Sequence, residues 1–167
     1  LVEKILHKIV LTGDKGMSDD EYIKTYDNFE KYEYDDMALI KSLNKFDEYV
    51  DRCNDWNTGK GMLAHYRGSY YYNKLLDDLG ISHKYQKISQ GDKVKSLYLH
   101  TTNKYGIDVI SYVDNYPEEF KNIFEVDKQV MFEKCIKDIV NQFYTALGWN
   151  IFAPNYQPMI DIDEFFA

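Results

Sequence analysis

The stretch Gly91–Val113 reads GDKVKSLYLHTTNKYGIDVISYV, and it decides the fold class of the chain. Gly91-Asp92 is typical of a turn, and it precedes a run of alternating apolar and polar side chains over Lys93–His100. Asn103–Gly106 predicts a second turn, and the apolar run Ile107–Val113 follows it. Two strands joined by a short turn predict a β-hairpin.

Helical periodicity surrounds this hairpin on both sides. Apolar residues at helical spacing predict three helices: Leu1–Leu11, Ala64–Leu79 followed by Gly80, and Asp127–Leu147 followed by Gly148. Ser18 and Glu21 have the spacing of a capping box, which predicts that a further helix begins at Ser18. The sequence therefore predicts an α+β fold that is mostly helical, with a small β-hairpin or sheet and an extended C-terminal tail.

Two segments between the first helices and Ala64 have weaker patterns. The short apolar run Asp36–Ile40 predicts a strand. Residues Asn44–Gly61 are polar and interrupted by Asn, Asp and Gly, which predicts a long loop. Long loops inside compact domains tend to be functional.

The composition limits the class of protein. A chain of 167 residues can form one good core or two small lobes. The net charge of −8 argues against a dedicated nucleic-acid-binding protein unless one face is basic. The 16 tyrosines suit wet interfaces and nucleic-acid backbones, although an A/T-rich coding sequence would produce the same enrichment.

No targeting or catalytic pattern is visible in the sequence. Cys53 and Cys135 have no metal spacing and are expected to be free thiols in a reducing compartment. There is no apolar run of membrane-spanning length, no signal peptide, no phosphate loop and no nucleophile elbow. The acid pairs Asp35-Asp36 and Asp77-Asp78 are interpreted as solvated helix faces. We therefore expect no catalytic and no metal-binding residues in this chain.

The sequence contains three patches of basic residues that could bind phosphate. They are Lys60, His65 and Arg67 at the start of a helix; Lys93 and Lys95 on one face of a strand; and Lys134 and Lys137 one helical turn apart. A helix N-terminus attracts anions through its free N–H groups, and Gly61 and Gly68 would allow a ligand to approach the backbone closely. The alternative for each lysine is a solvated charge. Three patches in one acidic chain favour a basic face.

The C-terminal residues Met159–Ala167 carry apolar side chains at an extreme terminus. If the last residues form one helical turn, Ile162, Phe165 and Phe166 project together while the acidic residues between them remain solvated. This pattern is typical of a peptide that docks into a groove of another protein. A tail that folds back onto its own core is the alternative.

Four of these segments resemble, in order, the C-terminal region of family B DNA polymerases of T-even-like phages. Arg67–Asn73 resembles the R-G-x-x-x-Y-N segment of that family, and Gly91–Lys95 followed by Tyr98-Leu99 resembles its G-[DE]-K segment. Phe132–Lys134 resembles its [FL]-E-K segment, and Ile162–Phe166 resembles its terminal sliding-clamp peptide. Weaker similarity extends to the first helices, so the resemblance covers nearly the whole chain.

The resemblance implies a division into end-of-palm helices and a strand at residues 1–40, a thumb domain at 41–149, and a linker with a clamp-binding peptide at 150–167. The thumb would hold the primer–template duplex through its backbone, with Lys60, Arg67, Lys93 and Lys134 at positions of phosphate contact. The tail would bind a sliding clamp through Met159, Ile162, Phe165 and Phe166. Met159 stands where the wider clamp-binding consensus has Gln, which implies modest affinity.

The catalytic aspartates, nucleotide-binding residues and proofreading acids of the family have no counterpart in this sequence. By resemblance, the chain holds no cofactor, Mg²⁺ belongs to the missing palm, and the chain alone should not polymerise. The implied partners are duplex DNA, a sliding clamp and the remainder of the polymerase, in the same chain or from a split gene. The implied location is the cytoplasm of an infected bacterial host, away from membranes. The main alternative is a free-standing adaptor that binds proteins and has no catalytic activity, and a complete small enzyme is the least favoured reading.

Overall fold

A computed structural model describes residues 1–58 and 61–150 of the chain. Its helices are α1 Val2–Thr12, α2 Lys15–Asn28 with a 3₁₀ turn at Phe29–Lys31, α3 Tyr34–Met37, α4 Phe46–Val50, α5 Ala64–Asp78, α6 Glu118–Lys121, α7 Lys128–Phe132 and α8 Asp138–Ala146. A π-helical segment, Glu133–Lys137, joins α7 to α8. The strands are β1 Leu39–Ser42, β2 Lys93–Tyr98 and β3 Val109–Tyr112. The fold is therefore α+β, as the sequence predicts.

The chain divides into two compact units. The first contains Leu1–Tyr32 and the described residues from Phe132 onward, and the second contains Glu33–Met131. These boundaries differ from residues 40 and 149, because the first helices group with the last helix and β1 groups with the hairpin. The assignment of palm and thumb segments depends on the resemblance and stays a prediction.

In the first unit, α1 packs against α2 and α8. The side chains of Ile5 and Ile9 are buried on α1. The ring of Phe132 makes edge-to-face contacts with Tyr22 and Phe29, at centroid distances of 5.3 and 5.2 Å. Such edge-to-face pairs contribute about 0.5–1.5 kcal/mol beyond the area that they bury. This aromatic cluster holds the end of α2 against the long C-terminal helix.

The predicted start of the second helix at Ser18 is wrong. Gly13 ends α1 with a φ of 58°, and Asp14 then caps α2 by accepting a hydrogen bond from the Met17 N–H at 3.1 Å. The cap is thus one turn earlier than the sequence predicts, because a glycine in the left-handed region ends one helix directly before an N-cap aspartate. Ser18 is buried inside α2, where its Oγ donates to the Asp14 carbonyl at 2.9 Å.

The second unit is built on a three-stranded antiparallel sheet of order β1-β2-β3. The predicted hairpin is confirmed: β2 pairs with β3 from Lys95 opposite Tyr112 to Tyr98 opposite Val109. Helix α5 lies mainly against β3. The Oγ atoms of Ser96 and Ser111 share a hydrogen bond of 2.8 Å on the sheet face that α5 covers. Small side chains at this contact let the helix and the sheet approach closely.

The two weaker sequence predictions are partly wrong. The strand predicted at Asp36–Ile40 begins only at Leu39 and runs to Ser42, because Tyr34–Met37 forms a helical turn instead. The segment Asn44–Gly61 is not entirely a loop, since it contains α4. Phe46 of α4 is buried and anchors that short helix.

Candidate nucleic-acid interface

Helix α5 begins at one end of the second unit with an open N-terminus. Its N-cap is Leu63, which is 55% exposed, and no described side chain caps the first turn. The first N–H groups of a helix have no intrahelical acceptor and carry a partial positive charge. This geometry suits an anion, and the anion site at this helix start stays a prediction. Lys60, which was expected beside it, lies outside the described residues.

His65 occupies the first turn of α5, and its ring packs on that of Tyr66 at a centroid distance of 4.4 Å. Burial, and then the nearby charge of Lys41, lower the pKa of His65. The imidazole is therefore neutral at pH 7. It can form a hydrogen bond with a phosphate oxygen, but it does not supply the positive charge that the sequence suggested.

Lys41 is a candidate that the sequence reasoning missed. On β1 it pairs with Val94, which lies on the same sheet face as Ser96, the face against which α5 packs. Its charge acts on His65, so it lies close to the start of α5. Lys41 is exposed and has no ion pair in the part of the chain that the structure describes. Extending the predicted strand by one residue beyond Ile40 would have identified it.

Arg67 has internal partners. Its Nη1 donates to the Met62 carbonyl at 2.6 Å, and its Nη2 forms an ion pair with Asp108 at 2.5 Å. The side chain is only 23% exposed. Arg67 therefore fastens the start of α5 to the segment that leads into β3, and its contact with phosphate stays a prediction.

The strand β2 places Lys93 and Lys95 on one face, but of the two only Lys93 is without an ion pair, among the described residues, that would compete with phosphate. Lys95 forms an ion pair with Asp35 at 3.2 Å, donates to the Asp114 carbonyl at 3.2 Å, and lies 5.6 Å above the ring centre of Tyr112. Lys93 is exposed and pairs with no carboxylate among residues 1–58 and 61–150. Its partner on β1 is Ser42, whereas Lys41 pairs with Val94. Because side chains alternate along a strand, Lys93 lies on the sheet face opposite that of Lys41.

Lys134 and Lys137 belong to the other compact unit, in the π-helical segment. Lys134 lies 3.2 Å from an oxygen of Asp138, and Lys137 lies 3.6 Å from one of Glu133. Exposed pairs at i,i+4 contribute only about 0.3–0.5 kcal/mol, so phosphate oxygens can compete for these lysines. The structure thus does not join all three patches into one described site.

The remaining residues of the R-G-x-x-x-Y-N segment also have packing roles. Gly68 contacts β3 rather than leaving space for a ligand, since a Cβ there would lie 2.5 Å from Ser111 Oγ. The Asn73 side chain makes two hydrogen bonds of 2.8 Å, one to each backbone polar group of Ile88. The segment therefore holds α5 to the sheet and to the loop before β2.

Side chains of both charges on and after α4 lie near the start of α5. Tyr49 stacks on Tyr66 of α5 at 4.3 Å, and the guanidinium of Arg52 lies 5.3 Å from the Tyr49 ring centre. Asp47 and Glu48 lie on the first turn of the same short helix. The candidate interface therefore consists of Lys41 and the open start of α5, with a neighbouring helix of mixed charge, and Lys93 lies on the other face of the sheet.

A group of metal ligands and a helix of membrane-spanning character are both absent from residues 1–58 and 61–150. No three His, Cys, Asp or Glu side chains there are grouped as a metal ion would require. None of the helices over the same residues combines the length and apolar character needed to cross a bilayer. No model of a known protein family matches the chain, and comparison with curated proteins gives no match.

Proposed function

We propose that this chain is the C-terminal thumb portion of a family B DNA polymerase similar to those of T-even phages. It holds primer–template duplex through the sugar–phosphate backbone and docks to a sliding clamp through its tail. The observation that carries the proposal is the juxtaposition of Lys41 and the uncapped start of α5 on one face of the sheet.

The chemistry of this surface suits backbone contacts. Lys41 and Lys93 are exposed and lack carboxylate partners among the described residues, so an incoming phosphate displaces no internal ion pair. Lysines and helix N-termini position a protein on DNA without reading its sequence. Contacts of this kind release counterions, which makes the binding steeply dependent on salt. A thumb that holds the duplex behind the primer terminus requires contacts of this type, because it must bind DNA of any sequence.

The packing roles of Arg67, Gly68 and Asn73 support the resemblance in a different way. Each joins α5 to another element, through Asp108, Ser111 and Ile88 respectively. A motif that fixes a helix on a sheet is tied to a fold rather than to a ligand. We infer that the R-G-x-x-x-Y-N segment supports the thumb and that its neighbours bind the duplex.

The remaining parts of the proposal depend on the resemblance alone. The tail residues Met159, Ile162, Phe165 and Phe166 lie outside the described residues and are proposed to enter a hydrophobic groove of the clamp. The palm, on the same polypeptide or on a partner, supplies catalysis and Mg²⁺. The proposed location is the cytoplasm of an infected bacterium.

The test is a salt titration of duplex binding, measured by fluorescence anisotropy with a primer–template duplex. We expect log K to fall linearly with log salt for the wild-type chain. Lys41→Glu, and Lys93→Glu at the phosphate contact that the resemblance implies, should each lower affinity at least about tenfold at low salt and reduce the salt slope by about one. Lys104→Glu is the matched control, since it makes the same change of charge beyond the opposite end of β2. Equal losses from all three variants would contradict the proposed surface.

A free-standing adaptor is the second candidate, and the net charge of −8 and the exposure of Ile40 favour it. Ile40 is 62% exposed on the edge strand β1, where a protein partner could cover it. Absence of duplex binding even at low salt would favour this candidate over the thumb.

A further inference from the structure

A second cationic site lies within the first compact unit, between the start of α1 and one face of α2. A cleft of about 370 Å³ opens there, within the size range of small-ligand sites. Besides Leu1, seven side chains with polar groups line it: Lys4, Glu21, Lys24, Thr25, Asn28, Lys31 and Tyr32. Those from α2 and its 3₁₀ extension recur at helical spacing, so they form a single stripe along the cleft.

The three lysines of this cleft have no carboxylate partner among the residues that the structure describes. Elsewhere in the same unit, Lys15 pairs with Asp19 and Lys137 pairs with Glu133. Glu21 is the one carboxylate in the cleft lining, against three ammonium groups. The cleft lining therefore carries an excess of positive charge, in a chain that is acidic as a whole.

Neutral groups hold part of this arrangement in place. Lys31 Nζ donates to Asn28 Oδ1 at 2.9 Å, and Asn28 Nδ2 donates to the Lys24 carbonyl at 2.8 Å. Thr25 is buried beside them, with its Oγ1 bonded to the Glu21 carbonyl at 2.8 Å. An amide partner orients Lys31 and leaves its charge intact, whereas a carboxylate would neutralise it.

We propose that this cleft binds phosphate oxygens, with Lys4, Lys24 and Lys31 as the cationic ligands. An ammonium group is a compact point charge that suits phosphate, and three of them around one opening suit two adjacent phosphates better than one. Two sources have this chemistry: a free polyphosphate such as pyrophosphate, and consecutive phosphodiesters of a nucleic-acid strand. The site is distinct from Lys41 and Lys93, which belong to the other unit, and it does not depend on the proposed polymerase function.

The experiment uses the complete chain with two probes: inorganic pyrophosphate and a short single-stranded oligodeoxynucleotide without terminal phosphates. Binding is followed by NMR, through the side-chain amide of Asn28 and the ammonium groups of the lysines. We expect saturable shifts with a dissociation constant of about 1 mM or tighter at low salt for at least one probe. Saturation by pyrophosphate alone identifies a free polyphosphate as the ligand, and saturation by the oligonucleotide identifies a strand backbone.

Variants make the assignment specific. Lys24→Gln with Lys31→Gln should weaken binding of the responding probe at least about tenfold, because both substitutions remove charge and leave the exposed helix face intact. Lys8→Gln is the matched control, since Lys8 also lies on α1 and lacks an ion pair among the described residues but does not line the cleft. Lack of response to both probes, or equal binding by the double variant and the wild type, would overturn the proposal. Lys41→Glu should leave this binding unchanged even if duplex binding is lost.

Discussion

Gly68 of α5 lies directly against Ser111 of β3: a Cβ added to the glycine would lie 2.5 Å from the Ser111 Oγ and 2.8 Å from its backbone nitrogen. Real Cβ atoms do not approach other heavy atoms so closely, so this contact admits no side chain. It sets the distance between α5 and the sheet, and with it the position of the helix start beside Lys41.

Gly68→Ala should therefore destabilise the chain, although glycine to alanine inside a helix usually gains up to about 1 kcal/mol. The added methyl group overpacks the contact, and we expect a loss of about 1–3 kcal/mol in the free energy of unfolding, measured by urea denaturation. Adding Ser111→Ala should restore only part of this loss, because the backbone of β3 still blocks the new Cβ. A gain in stability from Gly68→Ala would show that the contact is looser than described.

Tyr112→Phe should destabilise the second unit at neutral pH. The Tyr112 hydroxyl donates to Asp35 Oδ1 at 2.6 Å, and this bond, with Lys95 adding to it, holds the pKa of Asp35 below its usual value. We expect a loss of about 1 kcal/mol in unfolding free energy, a low value for a bond to a charged group because Asp35 is half exposed. Tyr116→Phe is the control, since its buried hydroxyl has no partner in the described chain and its removal should be neutral or stabilising.

Tyr112→Phe should also change how the free energy of unfolding depends on pH. Because the folded pKa of Asp35 is depressed, its contribution is complete above the unfolded pKa near 4 and is lost as the pH falls through the lower folded value. The difference in unfolding free energy between wild type and Tyr112→Phe should therefore shrink below about pH 4. A difference that is constant from pH 7 to the lowest pH at which the chain stays folded would contradict this assignment.

Glu119 should titrate at unusually low pH. Lys84 Nζ and the Tyr85 hydroxyl bond its two carboxylate oxygens at 2.8 and 2.7 Å, and these bonds lower the pKa of Glu119 to about 2. The carboxyl ¹³C shift of Glu119 reports this directly. Lys84→Gln should raise the pKa towards the ordinary value for glutamate, whereas Lys121→Gln, which removes the 2.7 Å partner of Glu118, should leave it unchanged.

The tail prediction requires the reconstituted enzyme. Phe165→Ala with Phe166→Ala should abolish clamp-dependent processivity and leave clamp-free primer extension unchanged, since an apolar anchor of a docked peptide carries much of its affinity. Tyr156→Ala is the control, because it removes an aromatic ring from the same terminal segment outside the motif. Processivity that is unaltered with the clamp present would assign the tail to another role.

The sequence predicted the secondary-structure elements better than it predicted which side chains form ion pairs. Helix α5 and the β2–β3 hairpin were predicted from periodicity and glycine positions, which are local signals. The availability of the cationic side chains was harder to predict, because the sequence does not show which carboxylates they contact in the fold. Arg67 meets Asp108 and Lys95 meets Asp35, at separations of 41 and 60 residues. Lys41 was missed for the related reason that only the pairing of β1 with β2 brings it near α5.

The π-helical segment changes the angular position of the side chains around the helix that runs from α7 to α8. The buried side chains Phe132, Ile136, Val140 and Tyr144 recur every four residues. At 3.6 residues per turn, each such step overshoots by about 40°, and three steps would carry the stripe roughly a third of the way around the helix. A turn that closes on the fifth residue absorbs part of this drift at Glu133–Lys137. The π-helical turn therefore lets the four buried side chains face one side of the helix, although their spacing is longer than an α-helical turn.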